Sequence, residues 1–178
     1  MSTPAPSPAA KTLQRVLLVS ALDGWSVIGI AALGTLLALA LGDLSSLITG
    51  LLLVAAGIVE LRGRGQLLRR NAGGMRLLVR AQLSLLAVIL VYCVTRLGSF
   101  DQGLVLDYLT PAMEAMLKDN GLERADIVPA VQMLFYVVHG TVALVTILFQ
   151  GGLTLYYRSR TAKVTEALCA PPMDPPLA

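Results

Sequence analysis

Charged and aromatic side chains are scarce in this sequence. Of its 178 residues, 14% are charged and 5% are aromatic, whereas 56% are hydrophobic. A soluble domain typically has about 25% charged and about 45–50% apolar residues. The composition therefore excludes a disordered chain and a nucleic-acid-binding module with a polar surface, and it argues against a water-soluble globular protein.

Metal-ligating and thiol side chains are also few. The chain contains two cysteines, Cys93 and Cys169, and a single histidine, His139. The sequence has no Cys/His cluster with the spacing of a zinc or iron–sulfur site, and one histidine cannot supply bis-histidine haem ligation. We therefore expect no metal site and no cofactor. Because Cys93 lies in an apolar run and Cys169 near the C-terminus, we also expect no disulfide.

Catalytic sequence motifs are missing as well. The sequence contains no nucleophile elbow, no HExxH motif and no Walker motif. The glycines of Gly63-x-Gly65 lack the preceding strand and the following GK[ST] of a phosphate-binding loop. We therefore expect that the protein is not an enzyme.

Four long apolar runs dominate the sequence. A bilayer core about 30 Å thick requires about 20 residues of helix, and every backbone polar group within it must be hydrogen-bonded inside the segment. Each run is therefore predicted to be a transmembrane helix. The predicted spans are residues 17–41, 44–61, 77–97 and 128–157. Together they predict an all-α membrane protein, a four-transmembrane-helix bundle that occupies residues 11–162.

The two ends of the chain are rich in proline. Residues 1–10 consist mainly of Pro, Ser and Ala, which predicts a disordered N-terminal tail. Residues 163–178 are predicted to form a Pro-rich cytoplasmic tail, because the prolines near its end prevent helix formation there.

The longest connection, residues 98–127, contains signals for a helix of its own. Thr110 before Pro111 predicts a helix start, and Asn120 before Gly121 predicts its end. Four apolar side chains of this segment then fall on one face: Leu109, Met113, Met116 and Leu117. We therefore predict a short amphipathic helix in the outer loop between the third and fourth spans.

The basic residues are distributed unevenly between the two sides of the predicted spans. Eleven of the 14 lysines and arginines lie on the side of both termini and the second connection. Short loops rich in Lys and Arg face the cytoplasm, so both termini are predicted to be cytoplasmic. Arginine outnumbers lysine in a chain rich in Ala, Leu and Gly, which is typical of GC-rich bacterial genomes. We expect the protein in a bacterial inner membrane.

Polar side chains repeat along one face of the fourth span. These residues, the helix-4 seam, are Gln132, Tyr136, His139, Thr146 and Gln150. Polar groups inside a membrane are default candidates for function, so His139 could belong to a proton or ligand site. The alternative is a hydrogen bond from His139 to another helix, with Tyr92 or Thr35 as the partner.

Three charged residues lie at comparable predicted depth near the cytoplasmic boundary. Asp23, Glu60 and Arg80 belong to the first, second and third spans. They could form a mixed-sign cluster that serves as an ion gate or coupling site, because opposite charges offset the cost of burial. Alternatively, the three side chains extend separately to the interface.

Small residues predict close packing of the first two spans. Gly34, Ala38 and Gly42 are spaced by four on the first span, and Ser46 and Gly50 are spaced likewise on the second. Such spacing is typical of helix contacts in membranes.

The second connection is strongly basic, which indicates contact with lipid headgroups. Basic residues beside a span attract anionic lipid by about 1 kcal/mol each. The predicted headgroup-binding residues are Arg62, Arg64, Arg69, Arg70 and Arg76.

Two functions fit these features. The first is a small non-enzymatic integral membrane protein that acts as a structural or accessory subunit of a homo- or hetero-oligomeric membrane assembly. Its partners are the bilayer, anionic lipids at the cytoplasmic face, and itself or another membrane protein. The second is a small oligomeric channel or transporter in which the helix-4 seam around His139 lines a path.

Overall fold

The protein is described by a computed structural model that covers residues 7–101, 103, 106, 109–121 and 123–170. Five helices have both ends within this part: α1 (Pro8–Leu41), α2 (Leu44–Leu68), α3 (Gly73–Leu97), α4 (Pro111–Asp119) and α5 (Arg124–Cys169). The described residues contain no strand. Four of the helices, α1, α2, α3 and α5, are long and apolar enough to cross a membrane. The predicted all-helical protein with four candidate spans is confirmed.

The helical region extends beyond both predicted boundaries. Helix α1 begins at Pro8, inside the segment predicted to be disordered, because the Ser7 hydroxyl accepts a backbone N–H and proline is tolerated in a first turn. Helix α5 continues to Cys169, since no proline interrupts it between Pro129 and Pro171. Residues 1–6 and the prolines of the C-terminal tail lie outside the described residues.

A tight turn joins α1 to α2. Gly42 ends α1 with a φ of 68°, a left-handed conformation that glycine adopts without steric cost. Asp43 then caps α2, because its Oδ1 accepts the backbone N–H of Ser46 at 3.1 Å. The turn between α1 and α2 therefore has a defined local cause.

Helix α4 lies in the connection between α3 and α5, where the sequence predicts a short helix. The Thr110 hydroxyl accepts the N–H of Met113 at 3.4 Å, and Pro111 follows at the first helical position. Met113 and Met116 are both largely exposed. The amphipathic character of this helix stays a prediction.

The chain divides into two compact units, one formed by residues up to Val88 and from Ile147 onward, the other by Ile89–Thr146. In the first unit, α1, α2, the start of α3 and the end of α5 share a hydrophobic core. Its buried residues are Val16, Leu67, Met75, Leu78, Tyr157, Val164 and Leu168.

Glycines allow the helices of the first unit to approach closely. A Cβ atom at Gly74 of α3 would lie 2.8 Å from Leu67 Cγ and even closer to the carbonyl oxygen of Gly63 on α2. A Cβ atom at Gly50 of α2 would lie 3.2 Å from Thr35 Cβ on α1. At Gly74 a Cβ atom would overlap with a backbone oxygen, so this contact requires glycine, whereas at Gly50 the Thr35 side chain would have to move.

The second unit contains the end of α3, helix α4 and the first part of α5. Its ring contacts join Phe100 to Phe135, with ring centroids 5.3 Å apart, and Tyr92 to His139, at 6.2 Å. The Arg96 guanidinium lies 5.3 Å from the centre of the Tyr92 ring. The Tyr92–His139 ring contact therefore links α3 to α5 within this unit, whereas the cation–π contact lies within α3.

Candidate functional site

Two acidic side chains are buried together in the first unit. Glu60 on α2 has no exposed surface, and Asp23 on α1 is 7% exposed. The Glu60 carboxyl interacts with Asp23. The structure therefore brings together two of the three residues of the predicted charge cluster.

Two neutral side chains complete this site. The Gln82 amide on α3 donates a hydrogen bond to Asp23 Oδ2 at 2.7 Å, and the Tyr157 hydroxyl on α5 donates one to Glu60 Oε1 at 3.0 Å. Gln82 and Tyr157 have no exposed surface either. We refer to these four residues, one from each long helix, as the acid-pair site.

Two acceptor atoms of the acid-pair site have no hydrogen-bond partner among the described residues. They are Glu60 Oε2 and Gln82 Oε1, and both are buried. A buried acceptor without a donor costs about 1–3 kcal/mol, and more when the group is charged. The groups that interact with the Glu60 carboxyl are Asp23, Gln82 and Tyr157, none of which is cationic.

Arg80 is exposed and does not belong to the acid-pair site. The buried face of α3 carries Met75, Leu78, Gln82 and Leu85. Arg80 is two residues from Gln82, which turns its side chain by about 200° away from that face. Arg80 instead lines an open cavity of about 260 Å³ with Arg76, Arg158 and three further residues.

The sequence contained signals for both residues that the predicted cluster omitted. Gln82 is the fourth residue after Leu78, and Tyr157 is the seventh after Gln150, so each continues a buried helical face. The helix-4 seam ends at Gln150, one buried position before Thr154 and two before Tyr157. Gln82 is neutral, so a cluster defined by charged side chains does not include it.

The helix-4 seam divides into a buried and a more exposed part. Thr146 and Gln150 are buried, whereas Tyr136 is 41% exposed. Gln132 is partly buried and donates to the Tyr136 hydroxyl at 3.4 Å on the same helix.

The position of His139 suggested a hydrogen bond to another helix. Its Nδ1 atom instead bonds within α5. This nitrogen lies 2.8 Å from the carbonyl oxygen of Phe135, one turn earlier on α5, and donates to it. The imidazole also stacks on the Phe135 ring at a centroid distance of 4.2 Å. Tyr92, one of the two suggested partners, contacts His139 through its ring instead.

The five basic residues of the second connection have different surroundings. Arg62, Arg69 and Arg76 are exposed, as headgroup contact requires. Arg64 Nε donates to the carbonyl oxygen of Leu17 at 3.2 Å, which attaches α2 to α1. The Arg70 guanidinium donates to the carbonyl oxygens of the last turn of α5, at 3.1 Å to Leu168 and also to Ala170.

The small residues of the predicted ridge are not all at helix contacts. Ala38 and Gly50 are buried. A Cβ atom at Gly34 or Gly42 would meet nothing within 4 Å, and the Ser46 hydroxyl bonds to the side chain that caps α2. The glycines that approach a neighbouring helix most closely are Gly50, Gly57, Gly63, Gly74 and Gly24.

Replacing Arg70 by alanine is expected to loosen the C-terminal turn of α5. The substitution leaves the carbonyl of Leu168 without its cationic donor, and cations at helix C-termini contribute about 0.3–1 kcal/mol. Hydrogen exchange in residues 163–169 should accelerate several-fold. Arg69→Ala is the control, because Arg69 is exposed next to Arg70. Equal acceleration in both variants would contradict this role of Arg70.

Comparison with known proteins assigns no family. No protein-family model matches the chain, and no curated protein or solved structure matches it. The chemistry of the acid-pair site therefore gives the available indication of function. Two buried carboxyl groups beside an amide and a phenol can connect helices, and they can also hold a cation.

Proposed function

We propose that the protein is a non-enzymatic integral membrane protein that acts as a structural or accessory subunit of a homo- or hetero-oligomeric assembly. The observation that carries this proposal is the division between polar and apolar groups. The polar side chains of the acid-pair site connect α1 to α3 and α2 to α5. Large apolar side chains of the long helices remain exposed, for example Ile30 at 74% and Leu148 at 67%. Lipid or another protein must cover that surface.

The more exposed part of the helix-4 seam, formed by Gln132 and Tyr136, supports contact with another chain. Gln132 and Tyr136 lie within the apolar stretch of α5, where lipid offers no hydrogen-bond partner. A second copy or a different membrane protein would satisfy these groups. The same face is the place where a path would run if the assembly were a channel or transporter.

Oligomeric state in lipid nanodiscs tests this proposal. Native mass spectrometry should detect two or more copies, or a co-purifying membrane protein. Gln132→Leu should weaken the association about threefold, the equivalent of the roughly 0.6 kcal/mol of an average interhelical polar contact. Met133→Leu, an exposed apolar neighbour, is the control. A monomer under all conditions would exclude the subunit role.

The proposed topology places both termini in the cytoplasm of a bacterium, with the four helices crossing its inner membrane. Reporter fusions at residue 115 in α4 and at the C-terminus should then report opposite sides of the membrane. The physical reason is the excess of basic residues beside the C-terminal end of α2 and the N-terminal end of α3. The same side for both fusions would contradict four spans.

Anionic phospholipids are the proposed lipid partners on the cytoplasmic side. Arg62, Arg69 and Arg76 are exposed there, and the cavity lined by Arg76, Arg80 and Arg158 can accept a phosphate group. The native mass spectra should accordingly show anionic lipid retained on the protein in preference to zwitterionic lipid.

A further inference from the structure

The acid-pair site places two carboxyl groups together among neutral neighbours. Asp23 comes from α1 and Glu60 from α2, and the side chains that face them from α3 and α5 are an amide and a phenol. Each neutral donor occupies one carboxyl oxygen, and neither carries a positive charge. Among the residues that the structure describes, the groups facing Glu60 include no cation, so an ionised pair would lack a counter-charge.

Two further atoms in the site can accept a ligand. Among the described residues, Glu60 Oε2 and Gln82 Oε1 are buried acceptors without a donor, and neither side chain has exposed surface. The Gln82 amide nitrogen bonds to Asp23 Oδ2 at 2.7 Å, and the unpartnered oxygen belongs to the same amide group. An ionised carboxylate and an amide oxygen only accept hydrogen bonds, so the missing ligand must be a donor or a positive ion.

We propose that the acid-pair site binds one exchangeable monovalent cation, which Asp23 and Glu60 share. The chemistry required is a single positive charge that oxygen atoms can hold, and a proton or an alkali-metal ion supplies it. A calcium ion is disfavoured, because it takes six to eight oxygen ligands. This site is independent of the proposed subunit role, and it can exist in a monomer.

Cation binding would couple the four long helices. Because each helix contributes one residue, a cation that binds only the folded site stabilises the packed arrangement of α1, α2, α3 and α5. The site thereby makes the stability of the first unit depend on ionic conditions.

Thermal unfolding of the full-length protein in nanodiscs tests the proposal. Melting is measured from acid to alkaline pH at constant ionic strength, with choline chloride replaced stepwise by sodium chloride. We expect the melting temperature to rise by about 5 °C at saturation with the cation. A rise with sodium identifies an alkali-metal ion, and a rise with acid alone identifies a proton. Both results support a shared cation.

Variants connect the effect to the site. Glu60→Gln removes one charge at nearly unchanged shape and should abolish the cation-dependent rise, and Asp23→Asn should do the same. Glu166→Gln, an exposed acid on α5, should retain it. Infrared spectra of the folded wild type should show a carboxyl or carboxylate band that responds to the same cation and disappears in Glu60→Gln. A wild type whose melting and spectrum respond to pH and sodium as those of Glu60→Gln do would overturn the proposal.

Discussion

Replacing Tyr157 by alanine is expected to destabilise the first unit by about 3–5 kcal/mol, the usual cost of removing a buried aromatic side chain. Tyr157 is fully buried in the hydrophobic core, and its hydroxyl also donates to Glu60. The substitution therefore creates a cavity and removes a donor from a buried carboxyl group. Reversible unfolding in mixed micelles, or thermal melting in nanodiscs, measures the change.

The two contributions of Tyr157 can be separated with the neighbouring tyrosine. Tyr157→Phe retains the ring and should cost about 1–3 kcal/mol, because Glu60 Oε1 loses its donor. Tyr156 is only partly buried and lies against Arg160, so Tyr156→Phe is expected to change stability little. Equal stability of the two phenylalanine variants would show that the hydroxyl of Tyr157 contributes nothing.

The second large effect is expected at the contact between α2 and α3. Gly74→Ala introduces a Cβ atom against the backbone oxygen of Gly63 and the side chain of Leu67. A backbone oxygen cannot rotate away, so the helices must separate. Overpacking of this kind costs about 1–3 kcal/mol.

Gly65 provides the matched control for this substitution. A Cβ atom at Gly65 meets nothing within 4 Å, although the residue lies on the same helix as Gly63. Gly65→Ala should therefore stabilise the protein, by up to about 1 kcal/mol, through higher helix propensity. If both alanine variants melt at the wild-type temperature, the close approach at Gly74 is not required for stability.

The long helices were predictable because their signal is strong and local. An apolar run that satisfies its backbone polar groups internally has to be helical in lipid, and the turn at Gly42 and Asp43 follows from local preferences. The positions of the helix ends were harder to predict from the sequence. Composition predicted disorder before residue 10, yet the cap formed by Ser7 and the permissive Pro8 extend α1.

The candidate site was predictable only in part. Matching depth along the predicted spans associates Asp23 with Glu60, because acids in apolar segments are few. Depth alone does not specify which side of a helix faces the neighbour. Arg80 and Gln82 are at almost the same depth, and only the buried face through Leu78 and Leu85 distinguishes them. The contact with Tyr157 spans 97 residues of sequence, a separation for which a single sequence contains no direct signal.

The origin of the acid-pair site in four separate helices has a consequence for biogenesis. Synthesis proceeds from the N-terminus, so Asp23 and Glu60 leave the ribosome before Gln82, and Tyr157 follows last. A nascent hairpin of α1 and α2 exposes two carboxyl groups to the insertion machinery without their donors. Chains truncated before Tyr157 keep Glu60 without its hydroxyl donor, so we expect them to be less stable than the full chain. The four-helix site is complete only when the last long helix has been synthesised.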